Sequence, residues 1–219
     1  MLKSLFTFGD YMLRCLLLRA VSATGFAQQY EVGADVGYGV YRDGTIFAGG
    51  VTAEAGICNR FAAGILLGGK LTKFISAEFH YLYQDGHPYL SVAGTRVDVQ
   101  GQSHALTGDL LFYFKTREHR WRPFLDGGAG AKDYVIAWPA PYPQPFPQIA
   151  SLITNDVWKV AFSAGGGIKF RLIPHMVLRA EFRDYIMTFP RQQIVPAPNN
   201  TARGIFEQFT PFIGISYTR

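Results

Sequence analysis

From Tyr30 to the C-terminus, apolar and polar side chains change places at almost every step, the period of strands with two unlike faces. The cleanest run is 157–172. There Trp158, Val160, Phe162, Ala164, Ile168 and Phe170 share one face, and Lys159, Ser163, Gly165, Gly167, Lys169 and Arg171 share the other. Segment 176–188 sets Leu178, Ala180, Phe182 and Ile186 against Arg179, Glu181, Arg183 and Tyr185. The first strand sets Tyr30, Val32, Ala34, Val36, Tyr38 and Val40 against Glu31, Gly33, Asp35, Gly37, Gly39 and Tyr41. Read this way, the chain predicts eight strands, at 30–42, 61–71, 75–84, 96–115, 122–135, 157–172, 176–188 and 206–218.

The connections alternate in length. Segments 71–74, 116–121 and 173–175 are tight, whereas 43–60, 85–95, 136–156 and 189–205 are long, the last two rich in proline. Short turns at one rim and long loops at the other fit a transmembrane barrel with short periplasmic turns and long extracellular loops. Each strand reaches or nearly reaches the 9–11 residues that cross a bilayer at a tilt. Segment 49–58 also alternates. Its preferred reading is a downward extension feeding the second strand through a bulge near Asn59, with a ten-stranded barrel as the alternative.

Alternation alone does not say which face meets lipid. Glycines at 33, 37, 39, 128, 130, 165 and 167 crowd the polar face, which suits the cramped interior of an eight-stranded barrel. The same face carries the acids Glu31, Asp35, Glu78, Asp109, Asp126 and Glu181. Its bases are Lys70, Lys115, Lys132, Lys159, Lys169, Arg171, Arg179 and Arg183. Near balance is what a buried lumen network of ion pairs requires. On the apolar face Tyr30, Phe74, Tyr83, Phe112, Phe114, Trp158, Phe170, Phe189, Phe209 and Tyr217 lie toward the strand ends, where aromatic girdles form. The expectation is an all-β, eight-stranded antiparallel up-and-down transmembrane barrel, apolar outside, with a closed, charge-filled lumen.

Composition adds less. The 219 residues carry a formal charge of +5, and two cysteines. Residues 1–27 read as an export signal, with Lys3 and Arg14 ahead of a short apolar core and small residues before Ala27. Asp10 and Arg19 interrupt that pattern, so Met12 is an alternative start. Removing the segment takes Lys3, Arg14, Arg19 and Asp10, a net +2, which leaves +3 on the barrel domain, 28–219. That excess is too diffuse for nucleic acid. Cys58 then has no partner, so no disulfide framework is expected.

Several of these runs resemble OmpA-like outer-membrane β-barrel domains. They are GGKLTKFISAEFHY at 68–81, RPFLDGGAG at 122–130, AGGGI at 164–168 and LRAEFRDY at 178–185. The resemblance spans roughly 30–219 and implies a barrel-only member, with Glu78 pointing inward. It also implies contact with outer-membrane lipid and lipopolysaccharide, and recognition by the barrel insertion machinery. Such barrels commonly end in an aromatic residue, whereas this chain ends Tyr217, Thr218, Arg219.

Chemistry is sparse. The GGAGAK run at 127–132 lacks the Ser/Thr and helix of a phosphate loop. The five histidines show no paired metal spacing, and neither cofactor nor metal is expected. Ser103, His104 and Asp98 are the one local set with hydrolase-like members, but adjacent strand residues face opposite ways. Asn199 only marks a loop. The proline-rich stretch 138–147 offers a stiff extended segment for an extracellular partner. The expected function is a monomeric, non-enzymatic barrel serving envelope integrity or adhesion. The alternatives are an enzyme acting on lipid A, a narrow pore, and a soluble lipocalin-like barrel.

Overall fold

A computed structural model of the chain describes residues 29–136, 146–153, 158–188, 194–203 and 205–219. The leader expected at 1–27, most of the proline-rich stretch, and Phe189 lie outside these residues. Among the described residues fifteen strands run β1 Tyr30–Tyr41, β2 Gly44–Ala48, β3 Val51–Ile57, β4 Arg60–Lys70, β5 Ile75–Asp85, β6 Pro88–Val92, β7 Thr95–Asp98 and β8 Gly101–Tyr113. They continue as β9 Trp121–Ile136, β10 Ala150–Leu152, β11 Lys159–Ile173, β12 Met176–Thr188, β13 Ile194–Pro196, β14 Thr201–Arg203 and β15 Ile205–Thr218. The eight longest close into one antiparallel barrel in the order β1-β15-β12-β11-β9-β8-β5-β4. The ten-stranded alternative falls with that closure.

The barrel forms because each long strand keeps its alternation over the length of a bilayer crossing. Closure pairs every edge, the condition for a sheet in hydrocarbon. Its last seam joins β1 to β15, with Val32 opposite Tyr217 and Val36 opposite Ile213. The tight turns make a single rim. In the first, Thr72 Oγ1 accepts from the amides of Phe74 and Ile75 at 3.2 and 3.0 Å.

The faces divide as the glycines and charges suggest. Phe162 is 58% and Trp158 53% exposed, whereas Arg179 is 1% and Arg183 0% exposed. Val32, Val36, Ile65, Leu67, Phe79, Leu125, Val160, Phe182, Ile213 and Ile215 add to a broad apolar outer wall. A patch that large is untenable in water and marks a membrane surface. Inside, space is short. A Cβ on Gly130 would lie 1.9 Å from the Leu106 carbonyl oxygen, and one on Gly167 2.3 Å from that of Ala180.

Beyond the rim opposite the tight turns, two smaller sheets assemble, β14-β2-β3-β6-β7 and β10-β13. This is where the sequence reading needs correction. Segment 49–58 neither extends the second barrel strand nor enters it by a bulge: β2 and β3 are a hairpin of the smaller sheet, turned by Gly49 and Gly50 at positive φ. The fourth predicted strand, 96–115, is two strands, since β7 pairs with β6 in the cap and the barrel strand begins at Gly101. Alternation identifies a strand but not its sheet. Ala53, Ala55 and Ile57 alternate toward an aliphatic core above the membrane, a pattern indistinguishable from a lipid-facing one.

That core joins Ile46, Ala53, Ala55, Ile57, Leu90, Ile149, Ala150, Leu152, Ile194 and Ala202 of the cap. It continues into Tyr41, Tyr134, Ala161, Met187 and Phe206 on the upper inner wall of the barrel. The described parts of the long connections therefore form a packed lid.

Candidate functional site: the lumen and its two closures

The lumen is layered. Near the tight-turn rim, Lys169 Nζ sits 2.7 and 2.8 Å from the two Glu31 oxygens, and Ser216 donates to Glu31 at 2.8 Å. Register places Glu31, Gly68, Glu78 and Asp109 on one line of paired residues that climbs across successive tilted strands. Two arginines from β12 fill the space between them. Arg179 reaches Glu78 at 2.6 Å and also pairs with Glu181. Arg183 touches Glu181 at 2.7 Å, Asp109 at 2.9 Å, Asp126 at 3.2 Å and Glu78 at 3.4 Å. Ser163 donates to Asp109 as well. An alternating strand projects every second side chain inward, so Arg179, Glu181 and Arg183 arrive as a ready-made cation–anion–cation column.

Above this layer His80 bridges to the next. Its Nδ1 lies 3.1 Å from Arg183 Nη1 and 3.1 Å from the Tyr185 hydroxyl, and its Nε2 lies 3.1 Å from Asp35 Oδ2. Arginine can only donate, so Nδ1 accepts and Nε2–H donates to Asp35. Higher still, Tyr41 donates to Gln84 at 2.8 Å and lies 3.4 Å from Ser103, and Gln208 donates to Gln84 and to Thr210. Lys132 stands among the rings of Tyr41, Tyr134 and Tyr185, with Nζ 5.0–5.6 Å from their centroids. Its Nζ also donates to the Tyr41 hydroxyl at 3.4 Å.

Of the residues singled out from sequence, Glu31, Asp35, Glu78, Asp109, Asp126, Lys169, Arg179, Glu181 and Arg183 meet in this column. Five of the eight bases do not join it, Lys132 among them in its ring of tyrosines. Arg171 instead donates to the main-chain carbonyls of Arg117 and Glu118, both at 3.0 Å, and ties down a rim turn. Lys115 lies over the outward Trp121 ring, 3.2 Å from its centroid, because β8 has already ended. Lys70 is at the rim end of β4, half-buried. Lys159 faces Lys132 across β9 and β11 at the opposite end. Nor is the interior uniformly polar. Leu66, Leu82, Leu111, Phe124 and Phe212 point inward and pack between charged layers, places where the binary pattern lapses and sequence reading misses them. His80, Gln84 and Tyr134 were also missed as network members. Alternation from Glu78 would have found the first two.

The aromatic positions split between the rims. Tyr30, Phe74, Phe112, Phe114, Phe170 and Tyr217 surround the tight-turn end with Trp121, all exposed except the partly buried Phe170. Tyr83, Trp158 and Phe209 lie toward the cap, near Tyr38 and Phe61. The hydrolase-like set is dispersed. Ser103 is buried beside Tyr41, His104 is on the outer face with Nδ1 2.8 Å from the Tyr81 hydroxyl, and Asp98 is in the cap near His87. In the cap, burial first and the nearby Asp43 carboxylate second push the Tyr89 hydroxyl up, while Arg96 lies 3.6 Å over its ring.

Two cavities mark the tight-turn end. An open vestibule of about 190 Å³ is lined by Gln29, Glu31, Arg117, Arg120, Arg122, Lys169 and Arg171, among others. The space next to Glu78 and Lys169 measures about 10 Å³, room for a single water.

The fold of this closed barrel is shared with solved bacterial outer-membrane proteins. The chain is similar to neisserial surface protein A, at 11% identity over 86% of this chain and 96% of that one, with a TM-score of 0.54. It is similar to OprG of Pseudomonas aeruginosa, at 11% identity over 88% and 95% and a TM-score of 0.57. It is also similar to AlkL, solved in lipid bilayers, at 16% identity over 86% and 90% and a TM-score of 0.52. No family model and no curated protein matches the chain. The fold is that of a bacterial outer-membrane β-barrel. At these identities the likeness speaks for the fold alone.

Proposed function

We propose that the protein is a sealed, non-enzymatic outer-membrane barrel that contributes to envelope integrity and presents a folded cap at the cell surface. The reading takes residues 1–27 as an export leader and the cap as the extracellular end. The observation that carries it is the presence of two closures in series. The arginine–carboxylate column blocks the axis at membrane depth, and the aliphatic core of the cap covers the opposite mouth. An eight-stranded barrel has an interior just wide enough for side chains to fill, which leaves no continuous water path through such a column. A surface role is supported by the β2–β3 tip, where Phe47 and Val51 remain about half-exposed on either side of the Gly49–Gly50 turn.

The test is conductance in planar bilayers, on protein whose folding is verified by heat-modifiable migration. A sealed barrel gives no discrete openings in the wild type. It also gives none when the cap tip is deleted, because the column still blocks the axis. Steady openings in the folded wild type would replace this reading with that of a narrow pore.

A further inference from the structure

We infer that the vestibule at the tight-turn rim is a binding site for a phosphate-bearing anion. Charge in the lower barrel is segregated. The carboxylates of the column are taken: Glu31 by Lys169, Glu78 by Arg179, Arg183 and Lys169, Glu181 by both arginines, and Asp109 and Asp126 by Arg183. Below it the balance changes. Arg117, Arg120, Arg122 and Arg171 converge on a cavity of about 190 Å³ in which Glu31, already held by Lys169 and Ser216, is the sole acid among the described residues that line the wall. Lys70 faces the space that adjoins it. Among the described residues, none of these five bases forms an ion pair with a carboxylate.

Their present contacts hold them in place without neutralising them. Arg117 donates to Gln29, Arg122 Nε donates to the Lys115 carbonyl at 3.2 Å with its guanidinium 3.7 Å over the Tyr113 ring, and Arg120 lies 4.9 Å over Phe170. Arg171 spends its donors on the carbonyls of the 117–118 turn, which fixes the loop that carries Arg117 and Arg120. Guanidinium forks fixed in position and open on one side match the bidentate acceptor geometry of phosphate. Like charges crowded in a half-enclosed space repel one another, and a bound anion removes that repulsion. The lining residues Arg120, Arg122, Arg171 and Thr218 adjoin the rim aromatics Trp121, Phe170 and Tyr217 along the chain, and Arg120 lies over the Phe170 ring, so the phosphate can come from a phospholipid headgroup or from solution.

The test uses the folded full chain in maltoside micelles at low salt, with backbone amide shifts followed for 116–122. Inorganic phosphate should saturate these shifts with a Kd below about 1 mM, and added salt should weaken it. Arg117→Gln/Arg122→Gln, with the turn still tied by Arg171, should weaken binding at least about tenfold, a loss expected for two charge-assisted contacts. Arg42→Gln, at the far rim, should leave it unchanged. Short-chain phosphatidylglycerol is then compared with phosphatidylcholine. Tighter binding of the anionic lipid than of phosphate identifies a headgroup site, and binding of phosphate alone identifies a soluble one. If neither saturates these resonances, or the double variant binds as the wild type does, the inference is wrong. Heat-modifiable migration of each variant separates lost binding from lost folding.

Discussion

Two regions of this chain obey the same alternation with opposite sign. Along β12 and β15 the inward positions begin as Arg179, Glu181, Arg183, Ser216 and Thr210, and end as Met187 and Phe206. The outward positions of β15 run the other way, from Tyr217, Ile215 and Ile213 to Glu207, which pairs with Arg42 at 3.0 Å. Nothing in the backbone changes at this crossover, since pairing between β12 and β15 continues in register from Tyr217 to Ile205. What changes is the solvent. At membrane depth hydrocarbon takes the apolar face and leaves the charges to pair internally. Above it water takes the polar face, and the apolar residues of six of the seven short strands close over the barrel mouth.

The comparison is most sharply broken at its polar end. Arg183 holds four carboxylates, so Arg183→Ala leaves buried acids unpaired and should lower stability by about 3–5 kcal/mol, read from the urea midpoint of refolding into lipid. In the cap, Leu90→Ala opens a cavity in an aliphatic core and should cost about 2–5 kcal/mol. There the loss should appear as faster proteolysis of the loops, with heat-modifiable migration of the barrel retained. On the outer wall, Ile213→Arg puts a charge midway between the rims and should cost about 2–4 kcal/mol in lipid. Smallest is Arg42→Ala. Its pair with Glu207 is exposed on the arginine side and should be worth less than about 1 kcal/mol by the same urea titration.

The barrel strands were legible because each sustains period-two contrast for 11 or more residues. The cap was not, for a physical reason. Val51, Ala53, Ala55 and Ile57 alternate just as a lipid-facing strand does, and no sequence signal separates apolar side chains bound for hydrocarbon from those bound for a small core. The candidate site was legible at the level of faces only. Strand phase puts Glu31, Glu78, Arg179 and Arg183 inside, but which acid meets which base depends on heights set by closure and tilt, and on partners more than 100 residues apart, as for Arg179 and Glu78. Bases near strand ends were over-assigned for the same reason. At a rim, the main-chain carbonyls of a turn or an aromatic ring compete for the cation, and those captured Arg171 and Lys115.

The crossover itself is best tested by single-cysteine spin labelling along β15, in a background with Cys15→Ser and Cys58→Ser, after reconstitution into lipid. Oxygen should quench labels at 213, 215 and 217, a water-soluble nickel chelate should quench the label at 207, and neither should reach 208, 210 or 216. A chelate-accessible 213 or 215, or oxygen access at 210 and 216, would mean that the wall assigned to lipid does not face it.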